Sequence, residues 1–392
     1  MRIDRLSLTN FRNYSRLELR LPREPLLLHG PNAQGKTNLL EAIYVLATGH
    51  SPLTSVDREM IRWQAEDEGL PYARVGGEVT SEAESRQVEI VIEKRELAGG
   101  GTRTQKAIRI DGVRKRRADL AGLLNVVLFV PQDVTLVSGS PSGRRRHLDD
   151  VLCQADAAYC TALDRYEKAV RQRNAALRHL RERGGDQRQL DPFEDAISRH
   201  GVHVTSRRAA LVEELSRRAD RLQGQLTAGV EKLRLDYQPS LKDRGAAADE
   251  SVARYREYLV AHRGRDIARG MTLSGPHRDE LRFIATSPPR LQRGVDLATY
   301  GSRGQMRTAV LALKLAELEW MRESGRSPVL LLDEVMAEMD AARRAYLLAQ
   351  IDSQTQTLLT ATDPEMFSPE FRERAAVWEV REGLVSSGGT GQ

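Results

Sequence analysis

Cysteine is nearly missing: the 392 residues contain two, Cys153 and Cys160. That is too few for a disulfide framework, and with no histidine at ligand spacing it does not make a zinc site. Their spacing of seven puts both thiols on one face of a predicted helix, as core or half-buried groups. Aromatic residues are 5% of the chain, so no platform for stacking single-stranded bases is visible. Long apolar runs are also missing. NVVLFV and PVLLL fall far short of the roughly 20 residues a membrane span needs, and MRIDRLSLTN lacks the apolar core of a secretory signal. The expectation is a cytoplasmic protein with no membrane partner. Charge is plentiful but nearly balanced, 60 Lys and Arg against 55 Asp and Glu. The basic residues cluster, at RKRR 114–117, at GRRRH 143–147 and across 165–218. Such clusters attract phosphate backbones without regard to sequence, although a solvated helix face reads the same way.

Hydrophobic periodicity divides the chain. RIDRLSLTNF and SRLELRL alternate as half-buried strands do, while PLLLH is continuous, as in a strand covered on both faces. TNLLEAIYVLA is helical, RQVEIVIEKR and KAIRIDGVRK form a hairpin about the AGGGT turn, and NVVLFV is a further strand. From 142 to 270 the pattern is helical and charged. It reads as two long antiparallel helices with GGDQ between them, then looser chain at YQPSL and GAAADE and a shorter helix. Strand patterns return after about 271, with PVLLLDE, QTLLTAT and AVWEVREGLV. The predicted organisation is an α/β domain split between 1–141 and 271–385, a helical insert at 142–270 and a disordered tail at 386–392. The last α/β segment must pair with the first to complete one sheet.

Three motifs carry chemistry. GPNAQGKT, Gly30 to Thr37, follows a strand and opens a helix. That is the spacing of a phosphate-binding loop whose backbone amides surround phosphate oxygens. Lys36 would reach the β- and γ-phosphates, and Thr37 would ligate Mg²⁺. PVLLLDE ends a buried strand on two carboxylates, Asp333 to hold Mg²⁺ and Glu334 to orient or deprotonate an attacking water. YGSRGQMR places Ser302, Gly304 and Gln305 at the start of a long helix, a second helix N-terminus suited to an anion. A simple N-cap would need Ser302 but neither glycine nor glutamine around it. Two phosphate-binding helix starts and one nucleotide site point to a dimer, in which each turn closes the other copy's site.

Together these motifs resemble the ABC-type ATPase heads. NFRNY at 10–14, FVPQDVTLVSGSPSGRRRHLD, LSGPHRDEL at 273–281 and LLLDEVMAEMD narrow the resemblance to the RecF family of bacterial recombinational repair proteins. The resemblance implies an SMC-like P-loop head split in sequence by a short helical arm. It also implies a slow, DNA-dependent, Mg²⁺-requiring ATPase that forms an ATP-dependent homodimer. Such a protein binds DNA and marks gaps and single-strand/double-strand junctions, and the scarcity of aromatics favours recognition of the duplex backbone, with single strands bound more weakly. It acts with RecR and RecO to promote RecA loading, in replication restart and the SOS response. By position, Gly30, Pro31, Asn32, Ala33, Gln34, Gly35, Lys36 and Thr37 would bind the phosphates. Ser302, Gly304 and Gln305 would act in trans, Asp340 would sit at the dimer seam, Gln132 would sense the γ-phosphate and Arg12 would contact a phosphate.

Three positions depart from the family pattern. Glu334 stands where the family commonly has Asp. TLLTATDPE has no switch histidine, leaving Thr360 or Thr362 to fill that role. Ala33 replaces a frequent glycine, and because alanine tolerates positive φ poorly, the expectation is that Ala33 is not left-handed. For DNA, the expected contacts are Arg144, Arg145 and Arg146, then Arg114, Lys115, Arg116 and Arg117. Positive charge at a helix start opposes the macrodipole, which argues against a purely structural role for Arg144 to Arg146.

Overall fold

Alternation at the N-terminus and continuous apolar runs elsewhere produce two kinds of sheet. The computed structural model describes residues 1–392 apart from 82–83, 97–101, 242–247, 288–290, 350, 352–354 and 388–392. In chain order the strands are β1 (Arg2–Phe11), β2 (Tyr14–Arg20), β3 (Leu26–His29), β4 (Tyr72–Thr80), β5 (Ser85–Glu96), β6 (Thr102–Ile110), β7 (Val113–Lys115), β8 (Val126–Phe129), β9 (Lys232–Gln238), β10 (Glu280–Ser287), β11 (Leu291–Asp296), β12 (Val329–Asp333), β13 (Thr357–Ala361), β14 (Ala376–Arg381) and β15 (Leu384–Ser387). They belong to two compact units, one of Met1–Asp133 with Glu317–Gln392 and one of Val134–Ala316.

In the first unit, β2-β1-β4-β5-β6-β7 form an antiparallel sheet and β15-β14-β3-β13-β12-β8 a largely parallel one. The expected completion of one sheet by both chain ends is observed strand by strand: β3 lies between β13 and β14, and β12 between β13 and β8, all parallel. Every residue of β12 and β13 is buried, as strands covered on both faces require. The helix Lys36–Thr48 is buried nearly all round, because Leu39, Leu40, Ile43, Val45 and Leu46 join a single core with residues of both sheets.

The second unit differs from the helical insert read from sequence. The pattern beginning at 142 is two helices, Pro141–Ala155 and Ala157–Arg183, because the Asp156 side chain accepts the Tyr159 N–H and starts the second. Cys153 and Cys160 therefore lie on different helices, both free and buried. The helix Asp191–Leu226 follows, then an unforeseen strand, β9, which pairs antiparallel with β10. This unit runs from 134 to 316 rather than from 142 to 270, so it contains the YGSRGQ turn and the start of the helix Arg303–Glu323. Residues 386–387, assigned to the tail, belong to β15. The glycines of AGGGT, the first three residues of GAAADE and the last five of the chain lie outside the described residues. Ala248 to Glu250 open the helix Ala248–Ala261.

Candidate functional site

The phosphate loop joins β3 to the helix Lys36–Thr48 and is clamped from outside. Asn13 Nδ2 donates to the Gln34 carbonyl at 3.0 Å and Tyr14 Oη to that of Gly35 at 3.0 Å, while Gln34 Oε1 accepts the Glu382 N–H at 2.6 Å. Gly30 has φ 146, and a Cβ there would lie 2.3 Å from the Val380 carbonyl oxygen, so no other residue fits. Ala33 is left-handed, with φ 63, against the expectation from its side chain. Surrounding contacts that over-determine a turn can hold such a conformation at a cost of about 1–3 kcal/mol, and the clamps at Gln34 and Gly35, on the C-terminal side of Ala33, contribute that restraint. Pro31, Asn32 and Ala33 are exposed at the rim of the loop.

Lys36, at 3% exposure, donates to the carbonyls of Gly30 at 2.8 Å and Pro31 at 3.0 Å, and its Nζ lies 3.0 Å from Glu334 Oε1. Thr37 Oγ1 sits 2.9 Å from each carboxylate oxygen of Asp333. Thr360 Oγ1 donates to Asp333 Oδ1 at 2.8 Å and accepts the Glu334 N–H at 2.9 Å. Burial pushes the Asp333 carboxyl above its usual range, while the bonds from Thr360 and Thr37 pull the other way. Of the two threonines considered for the missing histidine, Thr360 is buried against both acidic residues and Thr362 is exposed. The ends of β3, β12 and β13 thus bring Lys36, Thr37, Asp333, Glu334 and Thr360 together. Thr37 and Asp333 offer hard oxygen donors. Among the described residues no group of three or more His, Cys, Asp or Glu could form an all-protein metal cage. Such a donor set fits Mg²⁺, which keeps waters and takes further oxygens from substrate phosphates.

The remaining expected residues lie on other segments of the chain. Arg12 uses Nε and Nη2 on the buried Glu41 carboxylate, at 2.8 and 2.6 Å, and Nη1 on the Glu59 carbonyl. Its head is therefore committed to Glu41, a partner that sequence reasoning missed. Gln132 is exposed in the short turn Pro131–Val134. Asp340 starts the helix Ala341–Ala349, accepting the Arg343 N–H at 2.9 Å and pairing with Arg343 Nη1 at 2.8 Å.

The YGSRGQ turn is a reciprocal capping box. Ser302 Oγ accepts the Gln305 N–H at 3.2 Å, and Gln305 Oε1 accepts the Ser302 N–H at 2.9 Å. Gln305 is thus half of an N-cap, contrary to the expectation that capping would leave it unexplained. Gly304 is different. A Cβ there would meet nothing nearer than Ser302 Oγ at 3.9 Å, so nothing among the described residues demands glycine.

Arg144 corrects the DNA assignment. It is buried, bonded through Nε and Nη2 to Glu280 and through Nη1 to the carbonyls of Val137 and Gly139. Its charge lies at the C-terminal end of the preceding short helix Thr135–Ser138, where the dipole favours a cation. Its guanidinium is turned inward onto these acceptors, away from solvent. Arg145 and Arg146 are half-buried, and Arg145 donates to the Asp279 carbonyl at 2.8 Å. Arg114, Lys115 and Arg116 are exposed along and beyond β7, whereas Arg117 turns inward to the Thr48 carbonyl and the His50 ring.

The GPHRDEL block is structural as well. The Pro276 carbonyl accepts Arg208 Nη1 at 2.7 Å, Asp279 accepts the Ser240 N–H at 2.7 Å, and His277 Nε2 donates to the Thr272 carbonyl.

The family described as RecF/RecN/SMC N terminal domain matches residues 2–385. The DNA replication and repair protein RecF of Chloroflexus aurantiacus is 42% identical over 99% of this chain and 100% of its own length. That of Roseiflexus castenholzii is 40% identical over 98% and 99%. A solved structure of the recombination mediator protein RecF–ATP of the RecFOR pathway aligns with a TM-score of 0.84 at 27% identity, covering 99% of this chain and 97% of that one. A split P-loop sheet, an acidic pair beside the loop and likeness along the whole chain agree: the chain belongs to the RecF family of bacterial DNA replication and repair proteins, within the SMC/ABC ATPase superfamily.

Proposed function

We propose that this protein is a slow, DNA-dependent ATPase of recombinational repair, in which ATP and Mg²⁺ hold two copies together on DNA at gaps or single-strand/double-strand junctions. With RecR and RecO it promotes RecA loading, in replication restart and the SOS response. The observations that carry the reading are a phosphate-loop site with its lysine, threonine and acidic pair in place, and an exposed Gly304 turn that is open on its outer side. Lys36 neutralises phosphate charge, Thr37 and Asp333 hold the metal, and Glu334 orients or deprotonates the attacking water. Bound Mg²⁺ would supply charge neutralisation on the phosphate oxygens. Ser302, Gly304 and Gln305 form the turn that approaches the nucleotide of the second copy, with Asp340 at the same seam and Gln132 sensing the γ-phosphate. The recombination mediator RecF–ATP structure of the RecFOR pathway supports ATP and the RecR/RecO context. Among the described residues no helix is long and apolar enough to cross a membrane.

Sedimentation with and without ATP and gapped DNA tests this reading. Lys36→Met should lose both ATP binding and ATP-driven dimerisation. Ser302→Arg should keep ATP binding and remain monomeric. If Ser302→Arg dimerises like the wild type, the trans role of the turn is wrong.

The exposed Arg114, Lys115 and Arg116 are the preferred phosphate partners, with Arg145 and Arg146 beside the arm. Replacing Arg114, Lys115 and Arg116 by glutamine should lower the salt slope of duplex DNA binding by about 0.9 for each phosphate no longer neutralised. An unchanged slope would remove this strand from the DNA surface.

A further inference from the structure

The YGSRGQ turn is tied to the long arm helix through Glu231, a residue that no motif singles out. The chain leaves the helix Asp191–Leu226 by a tight reversal in which Ala228, φ 51, and Gly229, φ 80, are both left-handed. The Glu231 N–H then donates to Thr227 Oγ1 at 3.1 Å, and Thr227 Oγ1 donates to the Gln223 carbonyl at 2.7 Å. This fixes Glu231 just before β9. Its two carboxylate oxygens take different partners: Oε1 accepts from Gln305 Nε2 at 2.8 Å, and Oε2 accepts from Gln223 Nε2 at 2.9 Å. Bonds to an ionised acceptor are the stronger kind.

Gln223 is fully buried, and its own Oε1 has no partner. An unpaired buried carbonyl is unfavourable, but the flipped amide would turn that oxygen onto the carboxylate. Glu231 therefore dictates which way Gln223 faces. Gln305 is committed in the same way, its Oε1 to the Ser302 N–H and its Nε2 to Glu231. A continuous chain of hydrogen bonds runs from Gln223 in the arm helix through Glu231 and Gln305 to Ser302.

We infer that Glu231 is a positioning residue that sets the signature turn from the arm helix. By fixing the Gln305 amide it fixes the capping box, and so the direction of the Ser302 hydroxyl and of the amides at the start of the helix Arg303–Glu323. The inference rests on the proposed role of that turn in closing the second copy's nucleotide site. Displacement of the end of the arm helix, by whatever binds the arm, reaches the turn through this carboxylate.

The test is ATP-driven dimerisation of the full chain, read by sedimentation beside ATP affinity and thermal melting. Glu231→Ala should weaken the ATP-bound dimer about tenfold, the loss expected from one charge-assisted bond, while ATP affinity of the monomer stays as in the wild type. Glu231→Gln should recover dimerisation, because Gln223 can turn its amide and present the orphaned Oε1 to the new NH₂ group. A merely structural Glu231 would lower the melting temperature in both variants without this split. Glu231→Ala that dimerises like the wild type, or that loses ATP affinity in parallel, overturns the inference. If Glu231→Ala does not fold, Glu231→Asp, too short to span both glutamines, replaces it with the same two outcomes. Ser302→Arg separates the two levels. If it dimerises, the trans role of the turn fails. If it does not while Glu231→Ala does, only the relay fails.

Discussion

Replacing Glu334 by glutamine is expected to lower ATP turnover by about 10²–10⁴-fold, the contribution of a general base. The proposed ATP-held dimer should survive, and so last longer on DNA. The geometry makes this substitution specific. Glu334 extends from the end of β12 in a left-handed conformation, φ 51, with its N–H held by Thr360 and Oε1 3.0 Å from Lys36 Nζ. Glutamine keeps an oxygen for Lys36 and the same reach, so the loop and its lysine stay in place. What disappears is the proton acceptor, and only a step that moves a proton from water should respond. Phosphate release under saturating ATP measures turnover, and sedimentation measures the dimer. Turnover at the wild-type rate would remove Glu334 as the base. Loss of the dimer would show that its bond to Lys36 matters more than its basicity.

Arg173→Met is expected to destabilise the second unit by about 3–5 kcal/mol, the usual result of removing one partner from a buried ion pair. Arg173 is fully buried in the helix Ala157–Arg183. It bonds Glu194 Oε1 through Nε at 3.2 Å and Nη2 at 3.0 Å, and through Nη1 it bonds Asp266 Oδ2 at 2.7 Å and Thr272 Oγ1 at 3.0 Å. Glu194 would keep Arg263, but Asp266 would be left buried with its second oxygen already unpartnered. Since whole domains are stable by only about 5–15 kcal/mol, the loss approaches the stability of the unit. Two probes separate the units. The three tryptophans, Trp63, Trp320 and Trp378, all fall in the first, while most of the long helices are in the second. In urea, the far-UV circular dichroism transition should move to lower denaturant and tryptophan fluorescence should move less. A shift of equal size in both, or in neither, contradicts this placement of the energy. Adding Asp266→Asn should recover part of the loss, because it removes the stranded charge.

What was legible in the sequence is what lies on contiguous residues. GPNAQGKT, LLLDE and SRGQ each encode a local geometry, a loop, a strand end or a helix start, and family likeness tied them together. What was not legible depends on partners far along the chain. Arg144 reads as a DNA-phosphate contact until Glu280, 136 residues away, is placed against it. Ala33 reads as unable to be left-handed until Asn13, Tyr14 and Glu382 are seen bracing its neighbours. Thr360 could be named as a candidate, but its hydrogen bonds to Asp333 and Glu334 follow from the neighbouring positions of β12 and β13. The break at Asp156 was visible in principle, because Asp is a strong helix cap, yet the helical pattern resuming at once on both sides masked it. Glu231 had no signal at all. A single glutamate after a helix is ordinary until its two oxygens are followed to their partners.

The interleaved sheet has a consequence for how the protein is made. The Gln356 side chain bonds both the N–H and the carbonyl of Ile3, 353 residues away, and β3 lies between two strands from the last part of the chain. On a ribosome adding about 5–20 residues per second, the first strands wait roughly 15–70 s for these neighbours. During that interval β3 is an apolar strand with both edges open, and the phosphate loop after it has neither Asp333 nor Thr360 beside it. The arm unit, contiguous in sequence, emerges whole in the meantime. A nascent chain therefore holds its arm before it can hold a nucleotide, and a premature stop ahead of β12 leaves the first motif in the sequence without ever becoming a site.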